Sequence, residues 1–522
     1  MSGTLAGQRA LVVGGGFGGL AAAAHLARRG AKVTVLEQAA EVGGKAGFLE
    51  EGGFSFDTGP TLLTMPDIVR ETFAAAGTRF DDVVRLVSLD PVCRYLLPDG
   101  RGFFMHRDHG ATERSLAEVL PEDARRWRAF FEECRSIWEV VGEVYLGAPY
   151  DGAVGFAQRL LKQGPRAFKL GTGFSTLDDL GRRAFASDAM RAVVGRFATY
   201  AGGDPARTSA AFAMVLYVEV AFGAHYPMGG MNALARALGR AVENAGVVIR
   251  RGARVTGLTF DGSGRATGAR FESRAGAATV VESIPADLVV CDVDPRTVAE
   301  RLVPEGMRTA ALRGHEGRTP SLSGFAWVFG VEGEMPRAAH HNVLFPARYD
   351  AEFEAIFQRG KVADDPTVYV SIPSVTDPGR APEGCHSVFC LVNAPATAAK
   401  DNWEVEAQRL RGVVAARLER HFAPGFAQRI RAERFVSPVD IARTGAAGGA
   451  IYGAAPHGPF GPFERPRNRA DYAQGLYFVG GATHPGGGVP IVMRGGRFVA
   501  DLAEQDAARR RPLASRFFER AS

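Results

Sequence analysis

The chain has 522 residues, 46% hydrophobic and 23% charged, a composition typical of globular proteins. This length is too great for one simple core, so we expect two or three domains. The net charge of +5 comes from interspersed acids and bases with no recognisable nucleic-acid module, and no apolar run reaches eighteen residues, so we expect neither a nucleic-acid partner nor a membrane-spanning helix.

The first predicted elements form a strand–helix–strand unit around a glycine-rich turn. An apolar strand (Ala10 to Val13) leads into Gly14-Gly15-Gly16-Phe17-Gly18-Gly19, a small-residue helix runs from Leu20 to Arg29, and a second strand (Lys32 to Leu36) ends at Glu37. Such glycines let the backbone approach a diphosphate at the helix N-terminus, and the acid accepts hydrogen bonds from a ribose. The pattern therefore predicts a bound dinucleotide.

A second glycine-rich stretch, Val42-Gly43-Gly44-Lys45, follows directly, and a strand from Phe54 then runs into the loop Thr58-Gly59-Pro60-Thr61. Gly43 and Gly44 allow close approach of a diphosphate and ribitol, and Lys45 supplies a positive charge. The alternative is an ordinary turn with a surface lysine. Because a nicotinamide cofactor does not usually need this second stretch, whereas a longer cofactor does, we favour a flavin.

Between Met65 and Val220 the apolar residues recur mainly at helical spacing, and a long helix from about Ser115 is predicted to end at Gly147-Ala148-Pro149. Beyond this break, apolar and basic residues alternate: Phe156, Arg159, Leu160, Leu161, Lys162 and the stretch from Phe168 to Phe174. Such a face either docks on a bilayer surface or packs as a helical cap against the core. The sequence leaves both alternatives open.

The later elements return to the nucleotide sheet and then build a second sheet. The break at Tyr226 to Met231 is followed by a helix (Asn232 to Ala245), a strand (Val247 to Arg250), a short strand carrying Val255, and a buried strand (Ala286 to Asp292). The backbone of Val255 can pair with an adenine edge. Strand patterns from Pro320 to Ala394 predict a sheet around a substrate chamber, and a helix is predicted from Glu404 to Phe422.

The last motif, Gly480-Gly481-Ala482-Thr483-His484-Pro485-Gly486-Gly487-Gly488-Val489, lies between an apolar strand (Leu476 to Val479) and a helix from about Pro490 to Gln505. The N-terminus of that helix carries partial positive charge and stabilises negative charge near N1 and C2=O of a reduced flavin. The motif therefore predicts a second flavin anchor. His484 is the candidate catalytic residue, which either takes a proton or only hydrogen bonds within the loop.

Cysteine usage and the two termini bear on location. The five cysteines, Cys93, Cys134, Cys291, Cys385 and Cys390, are predicted to be free thiols in a reducing compartment, and no metal site is predicted. The chain starts with the nucleotide strand, so we expect no secretory signal and a cytoplasmic protein. At the other end, Arg509-Arg510-Arg511, Arg516, Phe517 and Phe518 form either a solvated tail or a contact with an anionic membrane.

Together these motifs resemble the bacterial-type carotenoid desaturases, the phytoene desaturase family of flavoproteins, over essentially the whole chain. The stretches that carry the resemblance are Val12 to Gly19, Leu36 to Gln38, Val42 to Lys45, Phe56 to Thr61, Pro227 to Met231 and Tyr477 to Pro490. The resemblance implies an α/β fold: a Rossmann-type FAD-binding domain (residues 1–75, 226–300 and 431–522) interwoven with a mixed-sheet substrate domain (301–430) and a helical cap (76–225).

The resemblance also implies an activity. FAD is bound noncovalently, a linear hydrophobic C40 carotenoid loses hydrogens, quinone or oxygen accepts the electrons, and the enzyme associates peripherally with the cytoplasmic membrane. The implied FAD contacts are Gly14, Gly16, Phe17, Gly18, Gly19, Glu37, Gln38, Gly44, Lys45, Gly59, Pro60, Thr61, Val255, Gly480, Gly481, Gly488 and Val489.

Some features set the chain apart within that family. Lys45 stands where many relatives have arginine, and Met493-Arg494-Gly495-Gly496 replaces a small-residue helix start. Phe197 to Gly203 resembles members that act on hydroxylated or methoxylated carotenoids at the 3,4 position. The alternatives are an amine oxidase-like or retinoid saturase-like enzyme, or a prenyl-binding protein without enzymatic activity that resembles guanine-nucleotide dissociation inhibitors. Intact glycine-rich loops at both ends of the chain argue against the last.

Overall fold

The computed structural model describes residues 4–150, 152–165, 175–275, 278–396, 402–459 and 461–510. Its helices are α1 (Phe17–Arg28), α2 (Pro66–Ala75), α3 (Phe80–Val83), α4 (His109–Ala117), α5 (Pro121–Leu146), α6 (Ala153–Lys162), α7 (Leu177–Ala184), α8 (Asp188–Gly195), α9 (Met214–Ala221), α10 (Met231–Asn244), α11 (Pro295–Arg301), α12 (Glu305–Leu312), α13 (Tyr349–Phe357), α14 (Trp403–His421), α15 (Pro438–Arg443) and α16 (Val489–Arg510).

Its strands are β1 (Arg9–Val13), β2 (Lys32–Leu36), β3 (Phe48–Glu51), β4 (Phe54–Asp57), β5 (Leu86–Leu89), β6 (Cys93–Leu96), β7 (Gly102–Met105), β8 (Ala224–Pro227), β9 (Val248–Arg250), β10 (Arg254–Phe260), β11 (Ala266–Ala275), β12 (Ala278–Pro285), β13 (Leu288–Cys291), β14 (Ser323–Glu332), β15 (His341–Leu344), β16 (Val368–Ser371), β17 (Cys385–Ala394), β18 (Ile430–Val436) and β19 (Leu476–Phe478).

The nucleotide domain is built on a parallel sheet with strand order β19-β13-β1-β2-β9. Its central strands are apolar on both faces because helices cover both sides, as expected for a parallel sheet. Helix α1 carries four consecutive buried alanines, Ala21 to Ala24, and its small side chains let α16 pack closely beside it. This arrangement brings the glycine turn after β1, the end of β2 and the end of β19 to one edge of the sheet.

The second sheet has seven strands in the order β18-β14-β17-β16-β15-β6-β7. Its pairs are antiparallel except β15 with β6, which is parallel. Alternation along β14 sends Phe325, Trp327 and Phe329 into a cluster with α14, whereas Ala326 and Val328 face the opposite side. One face of the sheet is therefore covered by a helix, which leaves the other face to form the chamber.

Three smaller sheets complete the strand pairing. They are β10-β11-β12, β3-β4 and β5-β8, all antiparallel. We expected the region from Met65 to Val220 to be mostly helical, and this expectation is wrong for β5, β6 and β7. Each of these strands has only four residues. The partner of β5 is β8 and a partner of β6 is β15, both far along the chain, and β7 pairs with β6, so helical periodicity cannot reveal them. Strands β11 and β12 were not predicted either; β12 is largely exposed and shows no alternation of buried and exposed residues from which a strand could be predicted.

The predicted domain limits remain a prediction, but the strand pairing shows which of the predicted segments contribute strands to the substrate sheet. Strands β6 and β7 come from the segment 76–225, and most of β18 comes from the segment 431–522, yet all three join the substrate sheet. The segments therefore interleave more finely than the sequence patterns indicated.

The long helix α5 ends at Leu146, as the Gly147-Ala148-Pro149 break predicted. It buries Trp127, Phe130 and Phe131 in a cluster with the helices that follow it. All five cysteines are free, and four of them are buried, as predicted. Among the described residues, no helix is both long and apolar enough to cross a membrane. The stretches Phe168 to Phe174 and Arg511 to Phe518, on which membrane predictions rest, lie outside the described residues.

Candidate active site

One continuous cavity of about 1680 Å³ joins the glycine turn of the parallel sheet to the open face of the second sheet. It is lined by sixteen of the predicted cofactor residues: Gly14, Gly16, Phe17, Gly18, Glu37, Gln38, Gly44, Lys45, Gly59, Pro60, Thr61, Val255, Gly480, Gly481, Gly488 and Val489. The structure thus brings together segments that are more than 450 residues apart. Gly19 and His484 are not among the described residues that line the cavity.

The first glycine turn has little room for side chains. Gly14 has a positive φ of 99°, and a Cβ added to Gly16 would lie 2.5 Å from Oδ2 of Asp292. A Cβ on Gly19 would lie 2.1 Å from the carbonyl oxygen of Gly14, so its glycine is needed for close packing of α1 on β1. Gly19 therefore packs α1 on β1, and its role as a direct cofactor contact stays a prediction.

Glu37 ends β2 at the cavity wall and is buried. Its Oε2 accepts a hydrogen bond of 2.7 Å from the Gly15 backbone N–H, and its Oε1 accepts one of 2.8 Å from the Ala39 N–H. These two bonds fix the carboxylate against the glycine turn. A carboxylate held there still has lone pairs for ribose hydroxyls, so the predicted role of Glu37 stays a prediction that the geometry permits.

Asp292 is a cavity residue that the sequence reading did not single out. It follows β13 directly, its Oδ2 accepts a 2.9 Å hydrogen bond from the Gly19 N–H, and it borders both Gly16 and Gly480. Desolvation raises the pKa of this carboxyl to about 7, against the opposing effects of the Gly19 hydrogen bond and the charge of Lys45. The sequence did contain one feature that could have identified Asp292: it lies at the carboxyl end of a predicted parallel strand, beside β1.

The second glycine stretch lies across from the first. Gly43 and Gly44 both have positive φ, 127° and 57°. Lys45 donates a 2.7 Å hydrogen bond from Nζ to the Ile451 carbonyl, and burial lowers its pKa while the charges of Asp294 and Asp292 oppose that effect. The lysine therefore ties this stretch to the C-terminal half of the cavity wall and keeps a cation beside it.

The C-terminal glycine loop closes the same cavity. Gly480 and Gly488 have positive φ of 114° and 106°, and α16 begins at Val489 with its N-terminus at the cavity. Buried Arg465, which the sequence reading missed, donates from Nη1 to the carbonyls of Tyr452 and Gly481, at 2.9 Å each. This loop is the segment predicted to be the second flavin anchor, and Arg465, which lies outside the motif, holds it in place. We call the two N-terminal glycine stretches the first cradle and this loop the second cradle.

His484 packs behind that loop. It is buried, its ring contacts Tyr145 with centroids 4.7 Å apart, and its Nε2 lies 3.3 Å from the Ala148 carbonyl. Asn468 donates a 2.7 Å hydrogen bond to the His484 carbonyl, and burial lowers the pKa of the imidazole to about 4. The placement therefore does not support His484 as a catalytic residue and favours the alternative, a histidine that holds the loop.

Three other polar groups near the site have structural roles. Asp57 accepts hydrogen bonds from the Met231 and Asn232 N–H groups at 3.1 and 3.0 Å, so it caps α10, and it lies 3.4 Å from Arg380. Asp204 accepts from the Ala206 N–H in a turn, and the His225 Nε2 lies 2.9 Å from the Phe222 carbonyl. Asp57 therefore acts as a helix cap and Asp204 as a turn former.

Beyond the cradles the cavity wall becomes apolar. Helices α5, α6 and α9 and the free face of the second sheet supply the following lining residues: Trp138, Val141, Val144, Phe156, Leu160, Phe212, Met214, Val215, Val218, Ala326, Val343, Phe389 and Leu391. Arg196, Tyr200 and Glu219 interrupt this surface with charge. We call this part of the cavity the chamber.

The two cradles fit a flavin dinucleotide. Glycine backbone lines the cavity at Gly14, Gly16, Gly44 and Gly480. At each position an added Cβ would either collide with a neighbouring atom or have to adopt a φ that is strained for other residues. Two helix N-termini, of α1 and α16, and the Lys45 ammonium supply positive charge where a diphosphate and a reduced ring would need it. The cavity continues from the two cradles into the chamber.

Comparison with known proteins agrees with this geometry. A family model described as flavin containing amine oxidoreductase matches residues 17–503. Phytoene dehydrogenase of Streptomyces griseus is 35% identical over 507 residues, 94% of each chain. The 1-hydroxycarotenoid 3,4-desaturase of Flavobacterium sp. is 29% identical over 500 residues, 95% of this chain and 99% of the relative.

Among solved structures, an oxidoreductase from Methanosarcina mazei is similar with a TM-score of 0.61 at 17% identity, covering 94% of this chain and 100% of the other, which shows the fold alone. The family match confirms the predicted fold class, the assignment as an oxidoreductase and FAD as the cofactor. The chain belongs to the flavin-containing amine oxidoreductase family and, within it, to the phytoene and carotenoid desaturases.

Proposed function

We propose that the protein is an FAD-dependent carotenoid desaturase that removes hydrogens from a linear C40 polyene and so extends its conjugation. One observation carries this proposal: the glycine cradles and the long apolar chamber are parts of a single cavity. A small polar substrate would need no such chamber, whereas a polyene needs an apolar wall over most of its length.

The chain's own residues supply binding, alignment and exclusion of water. Glu37, Lys45 and the N-termini of α1 and α16 hold the cofactor at the two cradles. Bound FAD supplies the acceptor for the hydrogen that leaves an allylic C–H bond of the polyene. The apolar side chains of the chamber, among them Trp138 and Leu391, align the substrate and keep water out. Alignment alone can lower the barrier by several kcal/mol. Loss of a hydride next to the conjugated chain leaves a cation delocalised over the polyene, so the neighbouring proton is lost without a strong catalytic base.

The test is a desaturation assay with FAD-loaded protein in liposomes that contain phytoene, neurosporene or a 1-hydroxy carotenoid. Each added double bond shifts the product absorption to longer wavelength, so we expect a red shift with at least one polyene. Flavin-free protein is the control. Fully loaded protein that shifts none of the three spectra, or that oxidises an aliphatic diamine instead, would refute the proposal.

The same assay identifies the electron acceptor. We propose oxygen or a quinone, and the two are separated by repeating the reaction without air and then adding a quinone. Renewed turnover on quinone addition assigns the quinone, whereas turnover in air alone assigns oxygen. Repeated turnover in the absence of both would refute either acceptor.

We further propose that α6 attaches the enzyme to the surface of the cytoplasmic membrane. Phe156 and Leu160 line the chamber, whereas Val154 and Leu161 on the same helix are 73% and 78% exposed. The last turn of α6 also carries the exposed Lys162. A helix that lines the chamber on one side and offers apolar residues and a lysine on the other is suited to an anionic bilayer from which a lipid-dissolved substrate enters.

Co-sedimentation with phosphatidylglycerol-containing vesicles tests this attachment. Leu161→Asp is expected to reduce the bound fraction several-fold, because it places a negative charge at the bilayer surface. Val405→Asp is the matched control, since Val405 is 65% exposed on α14, a helix that does not line the cavity, and its substitution adds the same charge. Equal binding by the wild type and both variants would rule out attachment through α6.

A further inference from the structure

A charged cluster stands in the wall of the otherwise apolar chamber. Arg196, at the start of the 3₁₀ helix Arg196–Ala201, and Glu219, on α9, are both buried, and both line the cavity together with Tyr200. These residues play no part in the two cradles. The chamber therefore contains a second kind of binding chemistry beside its apolar wall.

The geometry of the cluster is fixed by hydrogen bonds. Arg196 donates from Nη1 to the Tyr95 hydroxyl at 2.7 Å and from Nη2 to the Tyr200 hydroxyl at 2.9 Å. Tyr200 in turn donates to Oε2 of Glu219, and the second oxygen of Glu219 lies 3.6 Å from Nη1 of Arg196. The cluster thus presents both a cationic donor and an anionic acceptor in one place.

Such a cluster is not explained by stability. Removing two charges from water costs as much as or more than their attraction returns, and an apolar replacement of similar volume is often at least as stable. A wall that only contacted hydrocarbon would also gain from being uniformly apolar. Buried ionisable groups at a cavity surface are therefore better explained by a ligand that carries a polar group.

Tyr349 adds a second observation. It lines the same cavity, its hydroxyl is buried, and the described residues offer that hydroxyl no hydrogen-bond partner. Its ring packs against Gly195, the neighbour of Arg196 in sequence. A buried phenol without a partner beside this cluster is a vacant hydrogen-bonding position that a ligand oxygen would satisfy.

The cluster shares its cavity with the predicted flavin-lining loop. Thr61 of that loop hydrogen bonds Tyr369 between hydroxyls at 2.6 Å, and Tyr369 lines the cavity together with Arg196 and Glu219. A group bound by the cluster would therefore lie in the same continuous cavity as the cofactor cradles.

We propose that Arg196, Tyr200 and Glu219 bind a hydroxyl group at one end of the polyene, so that the preferred substrate is a hydroxylated carotenoid. This inference rests on the proposed desaturase function. A hydroxyl matches the cluster because it can accept from Arg196 and donate to Glu219 or to the remaining lone pair of Tyr200, whereas a purely hydrocarbon end would leave the cluster desolvated and unused. The cluster thereby sets which bond faces the cofactor.

The experiment compares neurosporene with 1-hydroxyneurosporene, which differ in the terminal hydroxyl and the double bond it replaces, using FAD-loaded enzyme in liposomes. The wild type is expected to favour the hydroxylated polyene in kcat/KM by about tenfold to a hundredfold, the range expected for a hydrogen bond to a charged group. Tyr200→Phe and Glu219→Gln are each expected to reduce that preference about tenfold, with flavin absorbance unchanged. Tyr226→Phe is the matched control, because its buried hydroxyl donates to Asp377 instead and lies outside the main cavity.

The outcomes separate the two proposals. A wild-type preference that falls in Tyr200→Phe and Glu219→Gln but not in Tyr226→Phe supports the binding site. Equal rates with both polyenes, or a preference that survives in both cluster variants, refutes the site and leaves the desaturase function intact. Loaded enzyme that converts neither polyene refutes the desaturase function and the site together.

Discussion

The two parts of the cavity are built in different ways. The cradles consist mainly of backbone: glycines with positive φ or crowded Cβ positions, helix N-termini, and a few side chains such as Glu37 and Lys45. The chamber consists of side chains from α5, α6, α9 and the second sheet. A backbone site tolerates almost no added atoms, whereas a side-chain site changes its selectivity with each substitution. Variants in the two parts should therefore fail in different ways.

The largest effect is expected in the first cradle. Gly16→Val places a Cβ 2.5 Å from Oδ2 of Asp292 and fills the diphosphate approach, so purified protein should retain essentially no FAD. The readout is flavin absorbance after desalting. Gly262→Val is the control, because nothing lies within 4 Å of its Cβ position and its φ is not in the left-handed range. A Gly16→Val protein that is still fully yellow would count against this cradle.

The next effect concerns the link between the two parts. Asp57 caps α10 beside the cradle and pairs with Arg380, which follows the chamber strand β16. Asp57→Ala leaves the buried Arg380 unpaired and should cost about 3–5 kcal/mol of unfolding free energy. Asp67→Ala, whose carboxylate is 94% exposed in its pair with Arg70, should cost less than about 1 kcal/mol. Denaturant unfolding measures both, and similar losses would contradict the assignment.

Filling the chamber should affect turnover and leave cofactor binding alone. Val215 lines the chamber on α9, so Val215→Phe narrows it where the polyene has to lie. A misplaced substrate costs about tenfold to a hundredfold in kcat/KM. Flavin absorbance should equal that of the wild type. Loss of FAD from this variant would show that the two parts of the cavity are not separable.

The smallest effect is a pH dependence at the cradle. In the folded protein the pKa of Asp292 is raised to about 7 from an ordinary value of 3.8, so its contribution to stability is present below about pH 4 and is lost as the pH rises through 7. Because an amide does not ionise, the Asp292→Asn variant does not lose this stability as the pH rises. The melting temperature of flavin-free Asp292→Asn, relative to the wild type, should therefore rise between about pH 4 and pH 7 and level off above. A difference that does not change with pH would contradict the shift.

The cradles could be predicted from sequence because each is local. A strand, a glycine turn and an acid at fixed spacing located Gly14, Gly16 and Glu37, and the loop before α16 was found in the same way. Arg465 and Asp292 were missed because their roles depend on strands and loops far along the chain. The role of His484 was left open for a similar reason: nothing local shows that Tyr145 packs against it.

The chamber was predictable only in outline. The strand patterns between Pro320 and Ala394 indicated a second sheet, and it exists, but two of its strands, β6 and β7, come from a region predicted to be helical. The Arg196–Glu219 pair joins residues on two separate helices, and no periodicity in the sequence indicates such a meeting. The pairing of β6 and β7 and the Arg196–Glu219 contact depend on packing between elements that are distant in sequence, and such packing cannot be inferred from a single sequence.

The packing of α1 against α16 has a consequence for biosynthesis. A Cβ at Gly496 would lie 2.6 Å from the Ala22 backbone nitrogen, so the earliest of the described helices to be synthesised is fitted to the latest. A nascent chain carries only part of the cofactor pocket until Gly480 to Val489 and α16 have emerged. Stable loading with FAD therefore waits for α16, and a stop codon that removes this helix should yield colourless protein.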